Sequence, residues 1–437
     1  MTTLDPRSRI YRYIVLLFVS LLTFGSYFAY DSIGAIAPTL IKELGLDREF
    51  IGQTYTLYSV AAILSVFIGG LLIDKIGTRR ASLLFSGLVT LGALIVAVAP
   101  NTFILYGGRF IFGWGSESLV VAQSAIFSRW FKGKELAFAF GVGLTISRLG
   151  TLFSFNTEAL IADYFQTYHA ALWAAVLLCI VSVLANLVYI FLDGRGEKSL
   201  GLREEGGGDK IVVSDIKKFT PSYWYVTLLC VTFYSAIFPF TALSTDFFHD
   251  KWGLPLTADT TGGFFYQVFY NILHMFGTAG GTTTIIIFAS MVFAPVFGTL
   301  LDRFGRRASV MLVGSILMVP AYLTMAFTMT PPAFPMIILG AAFVLVPAAM
   351  WPSIPLIVEK HRVGTAFGLT TMIQNIGLAL FPWLNGLLRD ATHDYTASMV
   401  MFSCLGLVGL VFAFLLLRSE KGPGAHGLET IVAEKSS

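Results

Sequence analysis

Charge is what this 437-residue sequence has least of: Asp, Glu, Lys and Arg make up 13% of it, about half the ~25% of an ordinary soluble domain. Hydrophobic residues reach 56% and mean hydropathy is +0.75. Because that hydropathy is spread over the whole length, a soluble enzyme with a signal peptide or a single anchor is excluded. A net charge of +3 is too small to imply nucleic acid as a partner. The three cysteines, Cys179, Cys230 and Cys404, lie inside apolar runs, which excludes a disulfide framework and structural zinc. His169, His249, His274, His361, His393 and His426 sit in loops or near span ends, with no HExxH pair and no Gly-x-Ser-x-Gly elbow. No metal, no cofactor and no enzymatic activity are therefore expected. Basic residues precede the first apolar run without a small-residue cleavage site, so no cleavable signal is expected either.

What the sequence does have is apolar stretches of membrane length, about 20 residues for about 30 Å of hydrocarbon. They fall near 11–40, 51–73, 81–100, 102–128, 135–162 and 170–192, and again near 222–246, 282–301, 308–329, 333–358, 364–388 and 395–417. The expected fold is all-α and integral to the membrane, with twelve transmembrane helices in two pseudo-symmetric bundles of six. Residues 1–192 form the first bundle and 222–418 the second, joined by a polar, Gly-rich, solvated linker at 193–221 and followed by a tail at 419–437. The run 271–281 is too short to span, and the segment Phe247–Gly281 has room for a short interfacial helix. The sets Arg7/Arg9/Arg12, Lys75/Arg79/Arg80, Arg129/Lys132/Lys134, Arg303/Arg306/Arg307, Lys360/Arg362 and Arg418/Lys421 fall on one side with the linker. That bias places both termini in the cytoplasm. Fewer bases, among them Lys42, Arg48, Lys251 and Arg389, fall on the other side.

Two short loops repeat each other. Gly70-Leu-Leu-Ile-Asp74-Lys75-Ile-Gly77-Thr-Arg79-Arg80 is matched by Gly298-Thr-Leu-Leu-Asp302-Arg303-Phe-Gly305-Arg306-Arg307 at a constant offset of 228 residues. A repeat of this size at the same helix boundary is what a transporter of two parallel six-helix halves predicts. The loops resemble the loop motif of the major facilitator superfamily. That resemblance implies a central cavity opening alternately to each side, and it gives Asp74, Arg79, Arg80, Asp302, Arg303 and Arg306 gating and latching roles in place of substrate contact.

Ionisable groups at membrane depth need a partner or a water-filled cavity. Glu117 in the fourth span lies twelve residues from Arg129, and Arg148 in the fifth lies fourteen from Lys134. At about 1.5 Å per residue both sit at roughly 18–21 Å from the same hairpin, near mid-membrane, where they can meet. Two readings stand: a buried pair that only joins two helices, or a clamp in which Arg148 takes a substrate carboxylate and Glu117 an ammonium group. The clamp is favoured, since glycines around Glu117 suit a water-lined face. Arg109 sits at the outer mouth, where it either snorkels to the interface or acts in gating. Asp31, after Tyr27 and Tyr30, lines the mouth or reaches water, and Glu158 in the same zone is read as a plain span-end residue. In the second half Gln374 and Asn375 offer neutral hydrogen-bonding groups to a backbone amide. Trp351 adjoins Pro352 and Pro355, and Pro239 interrupts the seventh span; each proline is a hinge or a packing kink.

Longer stretches extend the resemblance to the lysosomal dipeptide transporters of that superfamily. They are Gly25–Asp31, Gly108–Leu119, Trp130–Leu136, Ser147–Gly150, Tyr234–Phe240, Trp351-Pro352, Gly364–Gly368 and Ile373–Ala379. The resemblance implies facilitated transport of dipeptides by a uniporter, with Glu117 and Arg148 in the binding site and Tyr27, Tyr30, Asp31, Trp351, Gln374 and Asn375 completing it. The external segment 249–281 is longer than in those relatives, and neither tail has an acidic dileucine signal. The expectation is therefore a monomer in a prokaryotic plasma membrane, with a dipeptide or amino-acid-like substrate and the lipid bilayer as its partners. The alternative is a proton-coupled exporter of drugs or metabolites, with Glu117 or Asp31 as the proton site.

Overall fold

The computed structural model describes residues 5–6, 8–131, 135–200, 213–359, 362–422 and 425–430, and among these every regular element is helical. In chain order they are α1 (Arg9–Ser20), α2 (Phe24–Ala35), α3 (Ala37–Leu44), α4 (Arg48–Ile76), α5 (Thr78–Val98), α6 (Thr102–Trp130), α7 (Leu136–Phe165) and α8 (Tyr168–Leu200). After a 3₁₀ turn at Val213–Lys218 come α9 (Pro221–Trp252), α10 (Phe264–Leu273), α11 (Ala279–Phe304), α12 (Arg307–Phe327), α13 (Ala333–Ile357), α14 (Val363–Thr392) and α15 (Thr396–Ser419). Ten spans are long and apolar enough to cross a membrane. α4 makes an eleventh when its 50° bend is taken within one span. α11 is apolar over the shorter stretch Ala279–Ala294.

Contacts divide the chain into two compact units, Met1–Glu43 with Leu57–Gly208 and Gly262–Val268, and Leu44–Thr56 with Asp209–Thr261 and Phe269–Ser437. In the first, α5 packs along α6 and α2 lies against α7 and α8; in the second, α12 packs on α13 and α15, and α9 on α14 and α15. Tight crossings use glycine. A Cβ at Gly25 would lie 2.4 Å from the Leu178 carbonyl oxygen, and one at Gly92 2.4 Å from the Phe112 nitrogen, so only a hydrogen lets these backbones meet.

The first span, Arg9–Ala35, runs on as expected through a short turn between α1 and α2. Between α1 and α2, the Gln123 amide donates to the Val19 carbonyl at 2.9 Å, and the Ser182 hydroxyl donates to the Leu21 carbonyl at 2.8 Å. The Gly25 N–H donates to Ser182 at 3.0 Å. These side-chain bonds add to the tightened backbone bonds of the turn, in which the Leu22 and Phe24 N–H groups donate to the same two carbonyls at 3.2 and 3.3 Å. Helix extends into the segment expected as linker: α8 runs on to Leu200, Asp193 is fully buried within it, and residues 201–212 of that segment lie outside the described residues. In the segment Phe247–Gly281, α9 extends to Trp252 and α10 is a short helix. It exposes Phe265, Tyr266 and Phe269, while Phe264 packs on Tyr164 and Phe165.

The C-terminal strap returns onto the second copy of the repeated loop. Glu429 accepts from the Ser309 backbone N–H at 2.8 Å and from its hydroxyl at 2.6 Å, and the Arg307 N–H donates to the Leu428 carbonyl at 2.9 Å. Glu420 in turn holds the His426 and Leu428 N–H groups. Glu429 therefore does for α12 what a capping residue does, satisfying donors that the first turn leaves open. Glu429→Ala should cost about 1 kcal/mol, the usual loss on removing such a cap. Hydrogen exchange is the readout: amides of the first turn of α12 should exchange faster while those of α13 do not change.

Candidate functional site

The polar groups of the first unit gather where α2, α4, α6 and α7 meet. A Cβ at Gly113 would lie 2.5 Å from the Tyr58 carbonyl oxygen, and one at Gly150 2.4 Å from that of Phe24. These approaches set α6 against α4 and α7 against α2. The glycines flanking Glu117 thus serve helix packing, and Gly115 is likewise filled by the backbone of α5. Glu117 itself is half-buried and accepts from the Tyr58 hydroxyl at 2.7 Å, with Ser116 3.2 Å from that hydroxyl. Tyr30 meets Tyr58 edge-on at 4.7 Å between ring centres.

Tyr27 stands within electrostatic reach of Arg148, Glu117 and Asp31 together. Asp31 accepts from Thr151 and has Arg148 and Arg109 in reach. It is buried, 6% exposed, and so does not reach water as its place near a span end allows. Arg109 is 1% exposed, which removes the snorkelling reading. Its guanidinium lies over Tyr30, Tyr58 and Phe112 at 5.3–5.7 Å, and it faces the carbonyls of Ala29 and Tyr30 at 3.4 and 3.5 Å. An arginine so placed is a positioning cation for the aromatic wall.

The second-unit residues form a cluster of their own. The Trp351 indole donates to the Tyr234 hydroxyl at 3.0 Å and stacks on Phe367. Gln374 accepts from the Cys230 thiol at 3.3 Å. Asn375, 2% exposed, directs its amide to the Thr371 carbonyl one turn back, so that donor is engaged within its own helix. α13 carries Pro347 as well as Pro352 and Pro355, and Pro239 lies inside α9. The Tyr322 hydroxyl donates to the Ala236 carbonyl beside the one that Pro239 leaves without its helical donor.

Among the loop residues, Asp74, Arg80, Arg303 and Arg306 are exposed, and the side chain of Asp302 lies outside the described residues. Arg79 is engaged: it pairs with Asp193 and Glu197. Arg129 pairs with the other Asp193 oxygen, which also accepts from the Trp130 indole at 2.6 Å. Sequence reading missed Asp193 by assigning it to the linker, although an acidic pair spaced by four at the end of an apolar span was the available signal. It also missed Tyr58, which no charge or motif marks.

A further network lies within the second unit, to which the first turns of α4 belong. Asp390 accepts from the Arg48 and Glu49 N–H groups at 3.2 and 2.7 Å, capping α4. Arg48 pairs with Asp246 at 3.0 Å, and the Trp383 indole donates to Glu49 at 2.7 Å.

With this geometry in view, the relatives are informative. A lysosomal dipeptide transporter MFSD1 from Danio rerio is 32% identical over 99% of this chain and 92% of its own length. The Homo sapiens protein of that name is 31% identical over 96% and 89%. A bacterial homologue of the human lysosomal transporter Spinster, solved inward-facing and unoccupied, shares the fold at a TM-score of 0.72 and 14% identity, covering 94% of this chain and 98% of that one. Residues 19–281 and 256–431 match the Major Facilitator Superfamily profile. Ten or eleven apolar spans among the described residues, a repeated basic loop and relatives aligned over nearly the whole chain lead to one conclusion: this chain is a multi-pass membrane transporter that belongs to the major facilitator superfamily.

Proposed function

We propose that the protein carries dipeptides or similar small zwitterions by alternating access, as a uniporter, with Arg148 taking the substrate carboxylate and Glu117 its ammonium group. The observation that carries this reading is Tyr27, placed in reach of a cation and two carboxyl groups at once. Such an arrangement offers opposite charges to the two ends of a zwitterion. In the same reading Asp74, Arg79, Arg80, Asp302, Arg303 and Arg306 latch the loops during switching, with Arg109 holding the aromatic wall. The protein acts as a monomer in a plasma membrane with both termini in the cytoplasm, an orientation supported by the bias of the basic loops. The names of the aligned relatives support the substrate class.

The test is uptake of a labelled dipeptide into proteoliposomes with and without an inward proton gradient. Uniport predicts equal initial rates in both. Uptake that collapses without the gradient would make the protein a proton symporter in place of a uniporter, and no dipeptide flux in either would remove the substrate assignment and put the exporter reading ahead.

A further inference from the structure

The polar face of α7 does not end at Arg148. Thr151, Ser154 and Glu158 follow at steps of three, three and four residues, which keeps them on one side of the helix. Glu158 is 0% exposed, and neither of its carboxyl oxygens accepts a hydrogen bond among the described residues. The neighbours of α7 are α2, α8, α1 and α6. From α2 comes Asp31, a second carboxyl within electrostatic range, and from α8 the Cys179 thiol. α6 contributes Arg109, which reaches Asp31, as Arg148 and Thr151 do from α7 itself. α1 presents its charges at the opposite end, where Arg9 and Arg12 pair with Glu135.

Asp31 thus has cations and a hydroxyl donor, whereas Glu158 has another carboxyl and a thiol. A charge on Glu158 would be buried, without donors and beside a like charge, and each of these opposes ionisation. A neutral acid suits the same place.

We propose that Glu158 is a proton-binding site of this carrier, in which Glu158 and Asp31 together hold one proton in the transport-competent state. The site sets a protonation state and not a driving force, so it is compatible with uniport. A proton retained through the cycle leaves flux indifferent to a gradient. Raising the pH on both sides until the pair loses that proton forces two adjacent buried charges and should lower flux.

The test uses infrared spectroscopy on the full protein in lipid nanodiscs, and needs no substrate. The wild type should show the C=O stretch of a protonated carboxyl at neutral pH, and Glu158→Gln should lose it. Superimposable spectra of wild type and Glu158→Gln would overturn the proposal. Should Glu158→Gln fail to fold, Glu158→Asp keeps the acid and must show the band at a shifted frequency; its absence from folded Glu158→Asp would equally overturn it. Independently, dipeptide flux at equal pH inside and outside should fall on alkalinisation in the wild type, and Glu158→Gln should flatten that limb. An identical alkaline limb in the two proteins would refute the link to transport.

Discussion

Arg148→Ala should reduce dipeptide transport at sub-saturating substrate by about 10- to 150-fold, since a hydrogen bond to a charged group contributes about 1.5–3 kcal/mol. The reasoning is local. Arg148 is half-exposed on α7, with Asp31 and Tyr27 in reach, so an arriving carboxylate finds a cation already held in place. Arg148→Lys keeps the charge but loses the planar fork and should fall between the wild type and Arg148→Ala. A dipeptide whose carboxylate is capped as an amide separates binding from folding. The wild type should carry it as poorly as Arg148→Ala carries the free acid, and Arg148→Ala should add little further loss. If Arg148→Ala slows capped and free dipeptides by the same factor, Arg148 does not read the carboxylate.

The largest effect on stability is expected at Asp193. This fully buried carboxylate takes Arg79 on one oxygen, and Arg129 and the Trp130 indole on the other. Removing one partner of a buried ion pair leaves the other charged and undercompensated, at a cost of about 3–5 kcal/mol. Asp193→Leu should therefore lower the melting temperature in detergent more than any single change at the exposed Asp74 or Arg80. Pairing it with Arg129→Met should recover part of the loss, because the most buried cation then leaves with its counterion. A melting curve for Asp193→Leu that matches the wild type would mean that the cluster does not hold the end of α8 to α5 and α6.

Membership and fold were legible for physical reasons. Hydrocarbon imposes its thickness on helix length, so twelve spans can be counted, and a two-fold repeat places Asp74 and Asp302 at equivalent boundaries. Mid-membrane Glu117 and Arg148 stood out because charge there is costly enough to be rare. Composition was a poorer guide at the ends of spans. Asp193 reads as polar linker by its neighbours in sequence, but its neighbours in space are Arg79, Arg129 and Trp130, which come from other helices. Arg109, at a depth that permits snorkelling, turns inward because Tyr30, Tyr58 and Phe112 from three helices receive it. Glu158 and Asp31, equally ordinary by position, become a carboxyl without a hydrogen-bond donor among the described residues and one that has a donor only through the packing of α7 on α2.

By itself, then, the sequence determined what depends on single spans: their number, their apolar length, the basic loops between them and the rare charges within them. The tertiary structure alone decided which of those charges is answered. Whether an ionisable group at membrane depth finds a donor, an aromatic face or nothing depends on which helix lies beside it, and residues separated by scores of positions in the chain supply that answer.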